Sequence, residues 1–141
     1  MKQLELDDEI YEKVKKLSKK GDDLFDGDRI EDAINEYNKA LKLIPEPVYD
    51  WEASTWLFTA IGDAYWELAD LNNAYDAFYE ALRSPGGIGN PFIHLRVGQI
   101  DFEMGNVTKA RDELIRAYMG AGKDIFKHEN PKYFSVIEEL V

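Results

Sequence analysis

The amino-acid sequence predicts an all-α solenoid of three helix hairpins followed by a C-terminal helix. Three stretches share one register, in which small and large residues lie at offsets 0, 3, 12, 16 and 19 from a glycine. These stretches are Gly21–Leu24–Ala33–Tyr37–Ala40, Gly62–Tyr65–Ala74–Phe78–Ala81 and Gly98–Asp101–Ala110–Leu114–Ala117. A pattern that recurs three times in 141 residues is typical of a solenoid, whose stacked units bury a shared core. No apolar–polar alternation is long enough to indicate a strand.

The first hairpin is predicted over about residues 8–47. Asp7 is a good N-cap for its first helix, because a carboxylate there can accept hydrogen bonds from the unpaired backbone N–H groups. The glycine and aspartate at 27–28 break that helix, and the second helix follows over about 30–44. Pro45 ends it, since proline disfavours helical backbone in the residue before it.

The second hairpin is predicted over about residues 50–88, with Asp50 as the N-cap of a long helix over about 51–68. The partner helix is expected to run from about Leu71 to Arg83. A loop rich in glycine and proline follows it, and these residues are the usual breaks between helices.

The third hairpin is predicted over about residues 91–124. Pro91 suits the first position of a helix, because its missing N–H would have no partner there. This helix is expected to end near Met104, and its partner helix near residues 120–122. A capping helix over about 130–141 is predicted to complete the solenoid.

The composition limits the classes of partner. With 28 acidic and 17 basic residues, the formal net charge is −11. This charge disfavours nucleic-acid phosphates and anionic membrane surfaces, which attract positive proteins, and it favours a basic protein or peptide. The absence of cysteine excludes disulfides, thiolate catalysis and sulfur-ligated zinc. Because there is no signal-like N-terminus and no apolar run of the roughly 18 residues that span a bilayer, we expect a cytoplasmic protein.

The repeats resemble those of tetratricopeptide repeat proteins over about residues 14–124. The second repeat carries the resemblance most fully, through Phe58, Ile61, Gly62, Tyr65, Ala74, Phe78 and Ala81. The resemblance implies a right-handed superhelical solenoid of three hairpins plus a capping helix, in a single domain over residues 1–141. It also implies a role in binding proteins rather than in catalysis.

The chain departs from the family's pattern at two insertions and at a carboxylate. Extra residues follow Pro45 and Pro85, and the first insertion carries Tyr49 and Trp51, which form a second candidate partner surface. Asp101 stands where the family prefers a large apolar residue. Because a buried, unpaired carboxylate is costly, either the third repeat is partly open or Asp101 has a local donor.

In this family the first helix of each hairpin lines the concave face, so the resemblance implies which side chains face a partner. The fourth residue after each motif glycine is aromatic and the fifth is acidic. The implied partner-binding residues are Asp22, Phe25, Asp26, Trp56, Asp63, Trp66, Glu67, Gln99, Phe102 and Glu103. Carboxylates beside ring faces favour lysine or arginine. The alternative is that the aromatic position is structural packing and the acidic position an ordinary solvated edge.

Sequence patterns for catalysis, metals and cofactors are weak. Residues 22–28 have the spacing of a calcium loop but lack its third ligand and its terminal glutamate. Residues 120–123 lack the upstream glycine of a phosphate loop. His94 and His128 have no metal-ligand spacing, and His94 is expected to form a structural polar pair with Asp101. We therefore expect no enzyme activity, no cofactor and no metal.

The predicted function is a non-enzymatic interaction module that binds a basic protein or peptide through an acidic, aromatic-lined concave face. One alternative is a bacterial immunity or inhibitor protein that occludes a basic toxin or effector, since small acidic helical-repeat proteins resemble some of these. A second alternative is a self-associating fragment of a longer repeat array. The apolar stripe of the C-terminal helix would then form a homodimer interface through Tyr133, Val136, Ile137 and Leu140.

Overall fold

The structure, a computed structural model, describes residues 6–141, and its regular secondary structure is entirely helical. The α-helices of this part of the chain are α1 Asp8–Asp26, α2 Ile30–Lys42, α3 Glu52–Glu67, α4 Leu71–Leu82, α5 Pro91–Glu103, α6 Val107–Ala121 and α7 Pro131–Ser135. Short 3-10 helices cover Val48–Asp50, Lys123–Phe126 and Glu138–Leu140. Since no strand occurs over residues 6–141, the predicted all-α fold is confirmed.

The helices form two compact units, divided after Gly87. The first unit contains two hairpins, α1–α2 and α3–α4, and α2 also packs against α3. The second unit contains the hairpin α5–α6 and the residues after it. We call residues 123–141 the C-terminal segment. The single domain predicted over 1–141 stays a prediction.

Side-chain caps begin most of the helices. Asp7 Oδ1 accepts from the backbone N–H of Ile10 at 3.1 Å, as predicted. The expected cap at Asp50 is wrong. The insertion folds into the 3-10 turn Val48–Asp50, which leaves Trp51 in the N-cap position of α3 without a side-chain cap. Asp50 therefore belongs to the turn and not to the start of the helix.

The turns inside the three hairpins have the same backbone geometry. In each, the seventh residue after the motif glycine has a positive φ, of 64° at Asp28, 57° at Ala69 and 84° at Gly105. The next residue donates its N–H back across the turn, from Arg29 to Leu24, from Asp70 to Tyr65 and from Asn106 to Asp101, over 2.8–2.9 Å. This is the hydrogen bonding of a helix C-cap. The three repeats recognised in the sequence therefore also share the same backbone conformation at the same offsets.

Close packing explains the motif glycines. A Cβ at Gly62 would lie 2.9 Å from the ring of Phe78, and a Cβ at Gly21 would lie 2.5 Å from the ring of Tyr37. Phe78 is fully buried and Tyr37 is 2% exposed, so neither ring can move aside without disturbing the core. Only glycine lets the two helices of a hairpin approach to this distance.

The C-terminal segment is less regular than predicted. The expected helix over 130–141 is wrong, because α7 is only five residues long and a 3-10 turn follows it. The backbone N–H of Ile137 donates to Phe134 O at 3.0 Å, which is the tighter spacing of a 3-10 turn. This geometry buries Tyr133 and Ile137 inside the second unit and leaves Leu140 60% exposed. The predicted apolar stripe is therefore divided between the core and the surface.

Candidate partner-binding surface

Three of the predicted acidic residues lie around one buried phenol of the first unit. The hydroxyl of Tyr37 on α2 donates a hydrogen bond of 2.6 Å to Asp22 Oδ1 on α1. Burial, this hydrogen bond and the charges of Asp22, Asp26 and Asp63 raise the pKa of Tyr37 well above its usual value of 10. Helices α1 and α3 thus bring carboxylates near one hydroxyl. We call Asp22, Asp26 and Asp63 the acidic cluster.

The repeat pattern explains where this cluster forms. Asp22 and Asp26 are four residues apart and share one face of α1. Tyr37 fills the space over Gly21, so its hydroxyl lies beside the residue that follows the glycine. The sequence predicted these carboxylates as partner-binding residues, but it did not predict that Tyr37 would bond one of them. Its position at offset 16 of the repeat, where a large side chain packs on the glycine, was the available signal.

The aromatic side chains predicted to face a partner are only partly accessible in the first unit. Phe25 is half-buried and packs against the apolar core. Trp66 is also half-buried, whereas Trp56 is 37% exposed. Structural packing therefore accounts for much of the surface of Phe25. Trp56 on α3 has the more exposed ring.

An acidic cavity of about 440 Å³ lies beside Glu67. Its lining residues are Asp28, Arg29, Ile30, Glu31, Asp32, Glu67 and Leu68. Arg29 is the only cation among these seven, and it already bonds Asp32 at 2.5 Å. The remaining carboxylates make the cavity negative, and its size admits a lysine or arginine side chain.

In the third hairpin the predicted binding residues are covered by the C-terminal segment. Gln99 is fully buried, and its Nε2 donates to Glu129 Oε1 at 2.7 Å. Arg96 Nη1 donates to the same glutamate oxygen at 2.8 Å and to Gln99 Oε1 at 2.7 Å. Gln99 therefore belongs to a buried polar network and does not lie on an open surface.

The aromatic and acidic positions of α5 are also occupied from within the chain. Tyr133 packs edge-on against Phe102, with ring centroids 5.6 Å apart. Lys132 Nζ donates to Glu103 at 2.7 Å, and it lies 5.7 Å from the Phe102 centroid and 5.2 Å from that of Tyr133. The hydrogen bond to Glu103 raises the pKa of Lys132. Lys132 and Glu129 were not predicted as part of the site, because offsets within a repeat say nothing about where the following segment folds.

The two aromatic residues of the first insertion are tied into the first unit. The Tyr49 hydroxyl donates to Glu80, and the Arg83 guanidinium lies 4.2 Å from the Tyr49 ring centroid. Trp51 Nε1 donates to Pro45 O at 2.9 Å. Both rings are half-buried, so they fasten the insertion to the hairpins. A role for Tyr49 and Trp51 as a second partner surface stays a prediction.

The expected pair of His94 and Asp101 is wrong. His94 Nδ1 contacts Glu113 Oε2 at 2.5 Å, and its Nε2 contacts Ile88 O at 2.6 Å, so both ring nitrogens have other partners. The suggestion that the third repeat is partly open is also wrong at Asp101, which is only 3% exposed.

The described residues, 6–141, contain neither a candidate membrane span nor a cluster of metal-binding side chains. No helix in this range is both long and apolar enough to cross a bilayer. The same residues contain no group of three or more histidine, cysteine, aspartate or glutamate side chains able to hold a metal ion.

Comparisons with known proteins agree with the fold. Residues 57–85 match the family model of the tetratricopeptide repeat. A sequence search of curated proteins finds no match. Among solved structures, the type III secretion chaperone SycD of Yersinia enterocolitica, in complex with a peptide of the translocator YopD, is 17% identical with a TM-score of 0.71. That match covers 90% of this chain and 91% of the chaperone chain.

A second solved structure is the C-terminal domain, containing tetratricopeptide repeats, of a Plasmodium falciparum protein assigned as an FK506-binding protein. It is 16% identical with a TM-score of 0.72, over 96% of this chain and 90% of that chain. At these identities the likeness shows the fold alone. Residues 57–85, which include most of α3 and all of α4, are therefore similar to a tetratricopeptide repeat, and the fold of the described residues matches the solenoid fold of tetratricopeptide repeat proteins, as the resemblance predicted.

Proposed function

We propose that this protein is a non-enzymatic interaction module that binds a basic protein or peptide through the first two hairpins. The observation that carries the proposal is the acidic cavity beside Glu67, whose lining has four carboxylates, Asp28, Glu31, Asp32 and Glu67, and one cation, Arg29, which is bonded to Asp32. Carboxylates from two hairpins then act together on one region of the first unit. Like charges that gather in this way repel one another, and a bound cation relieves the repulsion.

The rest of the first unit supports a cationic ligand. The acidic cavity beside Glu67 can take a basic side chain, and Trp56 offers a ring face for cation–π contact. A net charge of −11 would steer a basic partner toward the protein. The SycD structure contains a bound peptide of a translocator, so a protein with this fold can hold a peptide.

The third hairpin contributes no partner-binding residues to this proposal. Gln99, Phe102 and Glu103 are covered by the C-terminal segment, so the partner-binding residues of the proposal are those of α1 and α3. The proposed set is Asp22, Phe25, Asp26, Trp56, Asp63, Trp66 and Glu67. A location in the cytoplasm stays a prediction.

A charge-reversal variant tests the proposal. Partners captured from the native cell by the wild type are compared with those captured by Asp26→Lys/Glu67→Lys. The control Asp76→Lys/Asp124→Lys changes the net charge equally at two other exposed positions. We expect basic partners to bind the first variant about a hundredfold more weakly, since each charge-assisted hydrogen bond contributes about tenfold. Equal capture by all three proteins at low salt would contradict the proposal.

The inhibitor alternative predicts a different dependence on the partner's size. An immunity protein would need a whole folded toxin, over an interface of about 1,600 Å², and short peptides of that toxin would not bind. The alternative of self-association relies on Leu140 and Val141, which are 60% and 45% exposed at the end of the chain. Analytical ultracentrifugation of the wild type and of Leu140→Ser tests it, because a dimer formed there would dissociate in the variant.

A further inference from the structure

A second cavity of the first unit has a positive lining. Its volume is about 670 Å³, and it is lined by residues of α1, of α2 and of the turn between them. The charged residues in its lining are the cations Lys20, Arg29, Lys39 and Lys42 and the carboxylates Asp32 and Glu36. Cations therefore outnumber carboxylates here, in a chain whose net charge is −11. We call this the basic cavity.

A buried carboxylate holds two of these cations in place. Glu36 is 6% exposed, and its Oε1 atom lies 3.3 Å from Lys20 Nζ and 3.1 Å from Lys39 Nζ. The hydrogen bond from Lys39 lowers the pKa of Glu36, which keeps the carboxylate charged. The two lysine side chains are nevertheless more than half exposed, and an ammonium group has three N–H donors. Each lysine therefore keeps donors for an incoming anion while its position is already restricted.

The basic cavity adjoins the acidic cavity beside Glu67. Arg29 and Asp32 belong to the linings of both, and they form an ion pair of 2.5 Å. A ligand that spans this ion pair meets carboxylates on one side and lysines on the other. A ligand with positive charges alone would be attracted by the acidic cavity and repelled by the basic one, since charges of like sign oppose binding.

We propose that the partner presents a basic and an acidic side chain close together, the basic one in the acidic cavity and the acidic one in the basic cavity. The partner's carboxylate would bond Lys39 or Lys42, which lie three residues apart on one face of α2 and are both exposed. This inference rests on the proposed function. It adds a second binding site, for an anion, to the cation site that the proposed function already contains.

The adjoining cavities limit the spacing of the two partner residues. An extended chain advances at most about 3.3 to 3.6 Å per residue, so a spacer of none to three residues places their Cα atoms roughly 4 to 14 Å apart. The probes are therefore four peptides with blocked ends in which one lysine and one glutamate are separated by none, one, two or three glycines. In the control peptides glutamine replaces the glutamate, which removes the charge and keeps the size.

Each peptide is titrated at millimolar concentration into the full-length, isotope-labelled protein, and NMR shifts are followed. We expect at least one glutamate peptide to give saturable shifts at Glu67, Lys39 and Lys42, and to bind about tenfold more tightly than its glutamine counterpart, as for one charge-assisted hydrogen bond. The variant Lys39→Gln/Lys42→Gln should lose this preference for glutamate. The matched control Lys109→Gln/Lys127→Gln, which removes two exposed cations of the second unit, should keep it.

The inference fails if no peptide binds saturably, if every glutamate peptide binds as its glutamine counterpart does, or if Lys39→Gln/Lys42→Gln keeps the preference. If one of these occurs while Asp26→Lys/Glu67→Lys still loses the native partners, the proposed basic-partner function stands and only the anion site fails. If the native partners are also retained, both fail.

Discussion

In the first unit the acids that end α1 and α3 are exposed, whereas in the second unit the acid that ends α5 is bonded to the chain's own Lys132. Asp22 bonds a tyrosine beside two more carboxylates, while Gln99, at the equivalent position, is buried in a network with Arg96 and Glu129. The backbone turns are the same in all three hairpins. The comparison shows that one repeat framework supports two kinds of surface, depending on which segment covers it.

The largest effect on stability is expected where the C-terminal segment packs over the third hairpin. Tyr133 is 5% exposed and packs on Phe102, so Tyr133→Ala removes a buried ring and exposes the aromatic–acidic pair of α5. We expect the free energy of unfolding to fall by about 3 kcal/mol. Urea denaturation followed by far-UV circular dichroism measures it. The control Tyr11→Ala, at a tyrosine that is 41% exposed, should change stability by less than about 0.5 kcal/mol. A similar loss in both variants would mean that Tyr133 does not secure the cover.

The close approach of the two helices of a hairpin is tested at the motif glycine Gly62. A methyl group there would contact the buried ring of Phe78 at 2.9 Å, so Gly62→Ala should lower the free energy of unfolding by about 2 kcal/mol despite alanine's better helix propensity. Gly27→Ala is the matched control, because its Cβ would meet only backbone oxygens at 3.4 Å and beyond. Denaturant unfolding compares the two. Stabilisation by Gly62→Ala would show that the helices need no glycine to approach.

The hairpin turns differ in the residue at the positive-φ position, and substitutions there should have a smaller effect on the free energy of unfolding. Ala69 has a φ of 57°, a conformation that costs an L-residue roughly 1–2 kcal/mol, whereas the third hairpin has Gly105 at the same place. We expect Ala69→Gly to raise the free energy of unfolding by about 0.5 to 1 kcal/mol, after the added chain entropy of glycine is subtracted. Gly105→Ala should lower it by a similar amount. Changes of the same sign in the two variants would mean that the turns are not equivalent.

The burial of Tyr37 and its hydrogen bond to Asp22 predict an effect confined to alkaline pH. The folded state raises the pKa of Tyr37 above its usual value of 10, so it favours the neutral phenol. This contribution to stability is fully present below pH 10 and is lost as the pH rises above it. Tyr37→Phe should therefore lose less stability than the wild type between neutral and strongly alkaline pH, in thermal unfolding scans. Parallel losses in the two proteins would show that folding does not raise the pKa of this hydroxyl.

Much of the fold could be predicted because it depends on local chemistry. The cap at Asp7, the break after Asp26 and the start of α5 at Pro91 follow from single residues with strong preferences. Asp50 was misplaced because the insertion before it forms a 3-10 turn that packs on the hairpins, where Ser54 Oγ donates to Val48 O at 2.5 Å. A hydrogen bond between a turn and the start of the next helix leaves no periodic signal in the sequence.

The candidate site was predictable only in part. Contacts within one hairpin could be predicted from the sequence, whereas contacts between distant segments could not. The sequence by itself determined the repeat register, the glycines at the helix crossings and the aromatic–acidic pair that ends each first helix, because these depend on neighbours within one hairpin. Tertiary structure alone decided that Lys132 and Tyr133 cover the third pair, that Gln99 is buried with a hydrogen bond to Glu129, and that the Tyr37 hydroxyl on α2 donates to Asp22 on α1. Such contacts link residues far apart in the chain, and their formation depends on where a short, irregular segment can bury its rings and pair its charges.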